Sequence, residues 1–342
     1  MRFQGWVCLT ILTTVACGGS NDDGERASVD DAALDDVLPT GGRDTSPGDS
    51  IADAAPSPPV DASVDSSVDG ARDAPTDAAI DAPIDAPAGW ILSWSDEFDG
   101  SDGSAVDPTK WNYDVGNGEH GWGNDELEYY TSGTDNAVIR GGSLVITATD
   151  AGASKYKCWY GACKYVSARL TTSGKFSQKY GRFEARIKLP RGKGVWPAFW
   201  MLGQDFPGVS WPDCGEIDIM ENIGSEPGTC HGTTHGPGPA TYVDVGLTGA
   251  TTLPSGKALS DDFHVFATEW EPNVVRFSFD GAIYKTVTPK DLPATAKWVW
   301  DHPFFILLNF AVGGSWPGSP DGTTKWPQTM EVDYVRAYRA AP

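Results

Sequence analysis

Positive charge is scarce in this chain. Its 342 residues carry 25 lysines and arginines against 47 aspartates and glutamates, a net charge of −22. Such a surface repels nucleic acid and anionic membranes and offers neither of them a footprint. Long apolar runs are missing too. The most apolar stretch, residues 6–16, is interrupted by threonines and is too short to cross a bilayer. No long helical periodicity appears, which leaves strands as the material of the core. Among the five histidines, His231 and His235 are spaced for a helical metal site. The glycines beside them and Pro237 argue against a helix, and no third ligand is near in sequence.

Aromatic residues are absent from 18–88. That segment is built of Asp, Ala, Pro, Ser and Val, with 17 acidic residues against 3 basic ones. Asp61, Asp65, Asp69, Asp73, Asp77, Asp81 and Asp85 recur every four residues. A helix would stack those like charges, and the prolines would break it. With little to bury, the segment cannot offset its ordering entropy, so the expectation is an extended, self-repelling tether. Residues 1–17 read as an export signal: Arg2, an apolar run, then Ala16 before Cys17. The ending resembles a bacterial lipoprotein signal, although Thr14 stands where such signals usually carry leucine. It implies that Cys17 is lipidated and anchors the exported protein to a membrane at the cell surface or in the periplasm; a plain secretory signal that ends near a cysteine, giving a secreted protein, is the alternative.

The composition changes at Trp90. Residues 89–342 hold thirteen of the 14 tryptophans and enough chain for one large all-β domain. Within it, Glu216-Ile217-Asp218-Ile219-Met220-Glu221 places three carboxylates among three large apolar residues. Glu216 and Asp218 alternate with Ile217 and Ile219, the period of a strand with one wet and one buried face. Glu221 falls at an odd spacing, which would turn it into the core. A glutamate is almost never fully buried without a partner. One extra residue, a β-bulge at Ile219–Met220 with Met220 as the insertion, returns Glu221 to the face of the other two. Two carboxylates flanking a glycosidic bond suffice to hydrolyse it.

That stretch resembles the E-x-D-x-x-E signature of glycoside hydrolase family 16, and the resemblance covers essentially all of 90–340. It implies a jelly-roll β-sandwich of two bent antiparallel sheets with a concave substrate cleft. It implies an endo-acting, retaining β-glycanase, with Glu216 as nucleophile, Asp218 assisting and Glu221 as acid/base. Glu221 must start protonated, and the charges of Glu216 and Asp218 are expected to raise its pKa. The loop from Gly121 to Tyr130 resembles one that grips the substrate, which implies contacts from Trp122 and Asn124. Arg169, Trp211 and Trp316 match other cleft positions. Trp196 and Trp200 flank Ala198 in a W-P-A-F-W-M-L run that resembles enzymes cutting β-1,3-glucans. His235, with His231 as the other choice, is expected beside the acid/base.

The bulge itself distinguishes branches of the family. Lichenases of the bacterial type lack the extra residue, whereas laminarinases, agarases and carrageenases have it. With the W-P-A-F-W-M-L run, the resemblance implies hydrolysis of β-1,3-glucan with no cofactor in catalysis, and a monomer is expected. Mixed-linkage glucan, agarose and non-catalytic glucan binding on the same fold are the alternatives. The resemblance also implies a structural calcium held by Glu97, Gly142 and Asp333. Four cysteines in the domain allow three connectivities. Nearness in sequence favours Cys158–Cys163 and Cys214–Cys230.

Overall fold

A computed structural model describes residues 86–240 and 243–342. The expected signal, the expected lipidation at Cys17 and the expected tether up to residue 85 lie outside the described residues. Two large antiparallel sheets dominate. The outer sheet carries Ala282–Val287, Val274–Phe279, His264–Glu271, Gly181–Lys188, Gln328–Ala340, Ser143–Ala148 and Ala137–Arg140 in that order, and Trp90–Asp96 adds to Gln328–Ala340. The cleft sheet runs Asp244–Thr252, Thr229–Pro237, Glu216–Glu221, Val195–Gly203, Phe304–Val312, Arg169–Thr171 and Asn112–Asp114. The expected jelly-roll sandwich is observed.

Alternation explains which face of each strand is buried. In Val195–Gly203, Val195, Phe199 and Met201 enter the core between the sheets. Trp196, Ala198 and Trp200 take the opposite face, because successive side chains of a strand point apart. The core strand Phe304–Val312 is buried along its whole length. Its residues Phe304, Ile306, Leu308, Phe310 and Val312 pack with Phe199, Ile217 and Phe266 from both sheets. Removing one such side chain typically costs about 2–5 kcal/mol.

The disulfides differ from the expectation in one respect. Cys158 and Cys163 are joined, with Cα atoms 5.0 Å apart. Cys214 and Cys230 are free and buried. Antiparallel pairing sets Glu216 opposite His235 and Glu221 opposite His231. Cys214 precedes Glu216 and Cys230 adjoins His231, so the two sit at opposite ends of the strand pair, roughly 20 Å apart along it. They also lie on different faces. Cys214 packs with Leu202, Phe305 and Leu307 on the cleft side, and Cys230 lies in the main core. A disulfide needs Cα atoms within about 7 Å, so nearness in sequence misleads here. Alkylation in the native protein should leave both thiols unmodified. After unfolding without reductant, each should react. A peptide linking Cys214 to Cys230 in a non-reduced digest would contradict this register.

Candidate active site

The strand Glu216–Glu221 contains the bulge. Trp200 opposes Asp218 and Phe199 opposes Met220, so Ile219 has no partner on that side. On the other side Asp218 opposes Thr233 and Glu221 opposes His231, which sets two intervening residues against one. The extra residue is thus Ile219 rather than Met220 on the Val195–Gly203 side. Ile217, Ile219 and Met220 are all fully buried. Two consecutive inward side chains restore the phase, and Glu221 comes round to the cleft with Glu216 and Asp218. Three cross-strand rows result: Leu202–Glu216–His235, Trp200–Asp218–Thr233 and Ala198–Glu221–His231.

Each acid has its own surroundings. Asp218 is only 3% exposed. Burial, then the charges of Glu216 and Glu221, push its carboxyl well above the usual range, which favours the protonated form. Glu216 is half-buried and raised less, burial being opposed by cationic His235. Glu221 is also raised, and burial leads the causes. That corrects the expectation that neighbouring charges would do this. The indole N–H of Trp196 donates to Glu221 Oε1 at 3.0 Å.

His235 lies across from Glu216, and His231 across from Glu221. The histidine opposite the expected acid/base is therefore His231, the second of the two expected choices, and His235 stands opposite Glu216. His231 lies 3.3 Å from Glu226 and meets Trp316 edge-on at 5.1 Å. His235 Nδ1 is 2.6 Å from Asp244 Oδ2, and its Nε2 is 3.4 Å from Asp218 Oδ2. Burial pulls the imidazole pKa down. The hydrogen bond and charge of Asp244, with Glu216 and Glu221, outweigh that and push it up to about 9. Glu216, Asp218 and His235 have polar atoms within 4.8 Å of one another. A protonated imidazole has no lone pair for a metal.

Aromatic residues wall the cleft. Trp196 meets Trp316 edge-on at 5.6 Å, and Trp316 is 41% exposed. Trp211 lies 6.1 Å from the His235 ring. Trp200 donates its N–H to Asn309 at 2.7 Å. Arg169 lies over both Trp122, at 4.5 Å, and Trp200, at 4.9 Å, and its Nε pairs with Asp114 at 3.0 Å. Asn124 donates to Glu126 at 3.0 Å. Gly118 makes room for Trp122, since a Cβ there would come 2.8 Å from the indole.

Sequence reasoning missed Asp114, Glu126, Glu128, Asp244 and Asn309. Asn309 left a signal, as the one polar residue in the run Phe304–Val312. It accepts from Trp200 and donates to the Tyr130 hydroxyl, which in turn donates to Glu126. Glu128 is fully buried, and burial with the charge of Glu126 raises its pKa well above the usual range. The expected calcium set does not assemble as a cation site. Glu97 is held by Arg336 at 2.7 Å and Asp333 by Arg186 at 2.8 Å. Gly142 lies in a turn at φ +74°. The two carboxylates carry their own counter-charges and do not fit a divalent ion.

The comparisons agree with this geometry. The pattern described as "Glycosyl hydrolases family 16" matches residues 124–336. The chain belongs to this family. A beta-glucanase of Rhodothermus marinus is 43% identical over 258 residues, 73% of this chain and 85% of the relative. The laminarinase catalytic domain of Thermotoga maritima is 47% identical with a TM-score of 0.67, over 74% of this chain and 99% of that one. An endo-beta-1,3-glucanase of Pyrococcus furiosus is 48% identical with a TM-score of 0.67, over 74% and 95%. Family 16 enzymes are glycoside hydrolases and need no cofactor for catalysis.

The Asp244–His235 pair carries a signed pH dependence. The folded pKa of about 9 lies above that of a free imidazole, about 6.5. The pairing therefore stabilises the fold fully below pH about 6.5 and fades as pH rises through about 9. Asp244→Asn should cost on the order of 2 kcal/mol near pH 6. The gap in Tm from wild type should narrow as the pH approaches about 9. A gap that is flat or widens with pH would refute the pairing.

Proposed function

We propose that this chain is an endo-acting β-1,3-glucanase that works by retaining double displacement. One observation carries the reading. The bulge places Glu216, Asp218 and Glu221 on the cleft face, and the environment differentiates them. Glu216, whose charge is favoured by His235, attacks the anomeric carbon. Glu221, raised by burial, gives its proton to the leaving oxygen and later takes one from water. Asp218, whose protonated form is favoured by burial and by the neighbouring acids, keeps a second negative charge off the nucleophile. His235 balances the acids that remain.

The substrate class rests on three supports. The relatives named above are glucanases and laminarinases. The bulge points away from lichenases of the bacterial type. The walls are indoles, which suit the apolar faces of a neutral sugar polymer. A sulfated glycan would need cationic walls, and Arg169 is committed to Asp114 and two indoles. Export and anchoring through Cys17 belong to this proposal on the strength of residues 1–17 alone.

Glu216→Ala should lower turnover of soluble β-1,3-glucan by about 10⁴-fold or more without changing the Tm by more than a few degrees. Added azide should restore part of the rate and yield a glycosyl azide of inverted configuration. Glu221→Gln should lose roughly 10²–10⁴-fold. A Glu216→Ala enzyme that keeps its activity, or azide with no product, would remove the assigned nucleophile.

A further inference from the structure

Trp159 is unexplained by the cleft so far described. It forms the turn of the short hairpin between Lys157–Cys158 and Gly161–Ala162, and Cys158 is tied to Cys163. Single exposed apolar residues are ordinary on protein surfaces and need no function. This one differs in how firmly it is held. Its backbone N–H donates to Asn117 Oδ1 at 3.0 Å, and its indole N–H donates to the Glu126 carbonyl at 3.0 Å. The neighbouring Tyr160 hydroxyl donates to the Leu127 carbonyl. His120 lies 5.6 Å from the ring on one side, and Tyr160 meets it edge-on at 5.4 Å. The polar edge is thus pinned, yet the residue is 44% exposed. A tryptophan pinned by its N–H edge and open to that extent presents ring surface to solvent.

The position follows from Asn117, which is buried. Its carbonyl accepts the backbone N–H of Trp122 at 3.2 Å, and its side chain accepts that of Trp159. One asparagine therefore fixes the backbones of both tryptophans. Trp122 covers Arg169, which lies in turn over Trp200 beside the acids. Trp159 is joined to Trp122 through Asn117, and Trp122 connects through Arg169 to Trp200, which pairs with Asp218. A ring fixed in advance by a disulfide and two hydrogen bonds loses little freedom when a ligand stacks on it.

We propose that Trp159 is a sugar-stacking platform, joined to Trp122 through Asn117, that binds a further glucosyl unit of a long glucan chain. The inference rests on the glucanase reading for its ligand, and it deepens that reading by making the enzyme sensitive to chain length. The test uses the full chain with Trp159→Ala and Trp159→Phe. For Trp159→Ala, KM on long soluble β-1,3-glucan should rise about tenfold with kcat unchanged. On the shortest oligosaccharide that is cleaved, kcat/KM should stay within about twofold of wild type. Trp159→Phe, which keeps a ring but lacks the indole N–H, should remain near wild type on both substrates.

Equal losses on long and short substrates, no loss on either, or a Phe variant as poor as the Ala variant would each overturn the platform. The last outcome would mean that the N–H merely braces the loop. Gel retardation by β-1,3-glucan separates this proposal from the catalytic reading. In a Glu216→Ala background, Trp159→Ala should weaken retardation whether or not the parent enzyme cleaves glucan. Unchanged retardation overturns the platform alone, whereas a wild type that cleaves no β-glucan overturns the catalytic reading alone.

Discussion

Three carboxyl groups crowded onto one half-buried sheet face cannot all be charged. That constraint organises the site. Two unit charges about 4 Å apart repel by about 4 kcal/mol at an effective dielectric constant of 20. The structure resolves the conflict with one cation and with protons. His235 is held cationic by Asp244, and burial with the neighbouring acids favours the protonated form of Asp218. Glu221 stands at the far end of the bulge with a raised pKa and the Trp196 N–H on its Oε1. Unequal environments turn like groups into an acid, a nucleophile and an assistant.

The same logic recurs beneath the tryptophan wall. Glu126 and Glu128 form a second buried carboxyl pair; burial raises the pKa of both, and the charge of Glu126 adds to the rise at Glu128. Tyr130, Asn309 and Trp200 extend that network back to the cleft sheet. The paired members, from Asn124 through Glu126, Tyr130 and Asn309 to Trp200, rigidify what they hold. Here they hold the loop bearing Trp122 and Asn124. The apolar backing from Ile217, Ile219 and Met220 makes the acid strand itself rigid.

Much of this was legible in the sequence because it is local. Alternation in Glu216–Glu221 announces a strand, and the odd position of Glu221 announces a bulge. The run from Trp196 to Trp200 announces an aromatic face. What escaped depends on pairing between distant strands. Asp244 reaches His235 only because Asp244–Thr252 lies beside Thr229–Pro237. The free state of Cys214 and Cys230, and the place of His231 rather than His235 opposite Glu221, follow from antiparallel register, which spacing along the chain does not reveal. Glu97 and Asp333 were read as cation ligands because their arginine partners, Arg336 and Arg186, could not be paired with them from sequence alone.

The central claim is that the bulge aims Glu216 and Glu221 at one glycosidic bond close enough for covalent catalysis, where a retaining pair needs carboxyls about 5–5.5 Å apart. Proton NMR of the anomeric region during the first turnovers of a β-1,3-glucan tests it most directly. The account predicts that the β-anomer of the new reducing end appears first and then mutarotates. An α-anomer appearing first would contradict it, because it would require a water between the acids and a nucleophile other than Glu216.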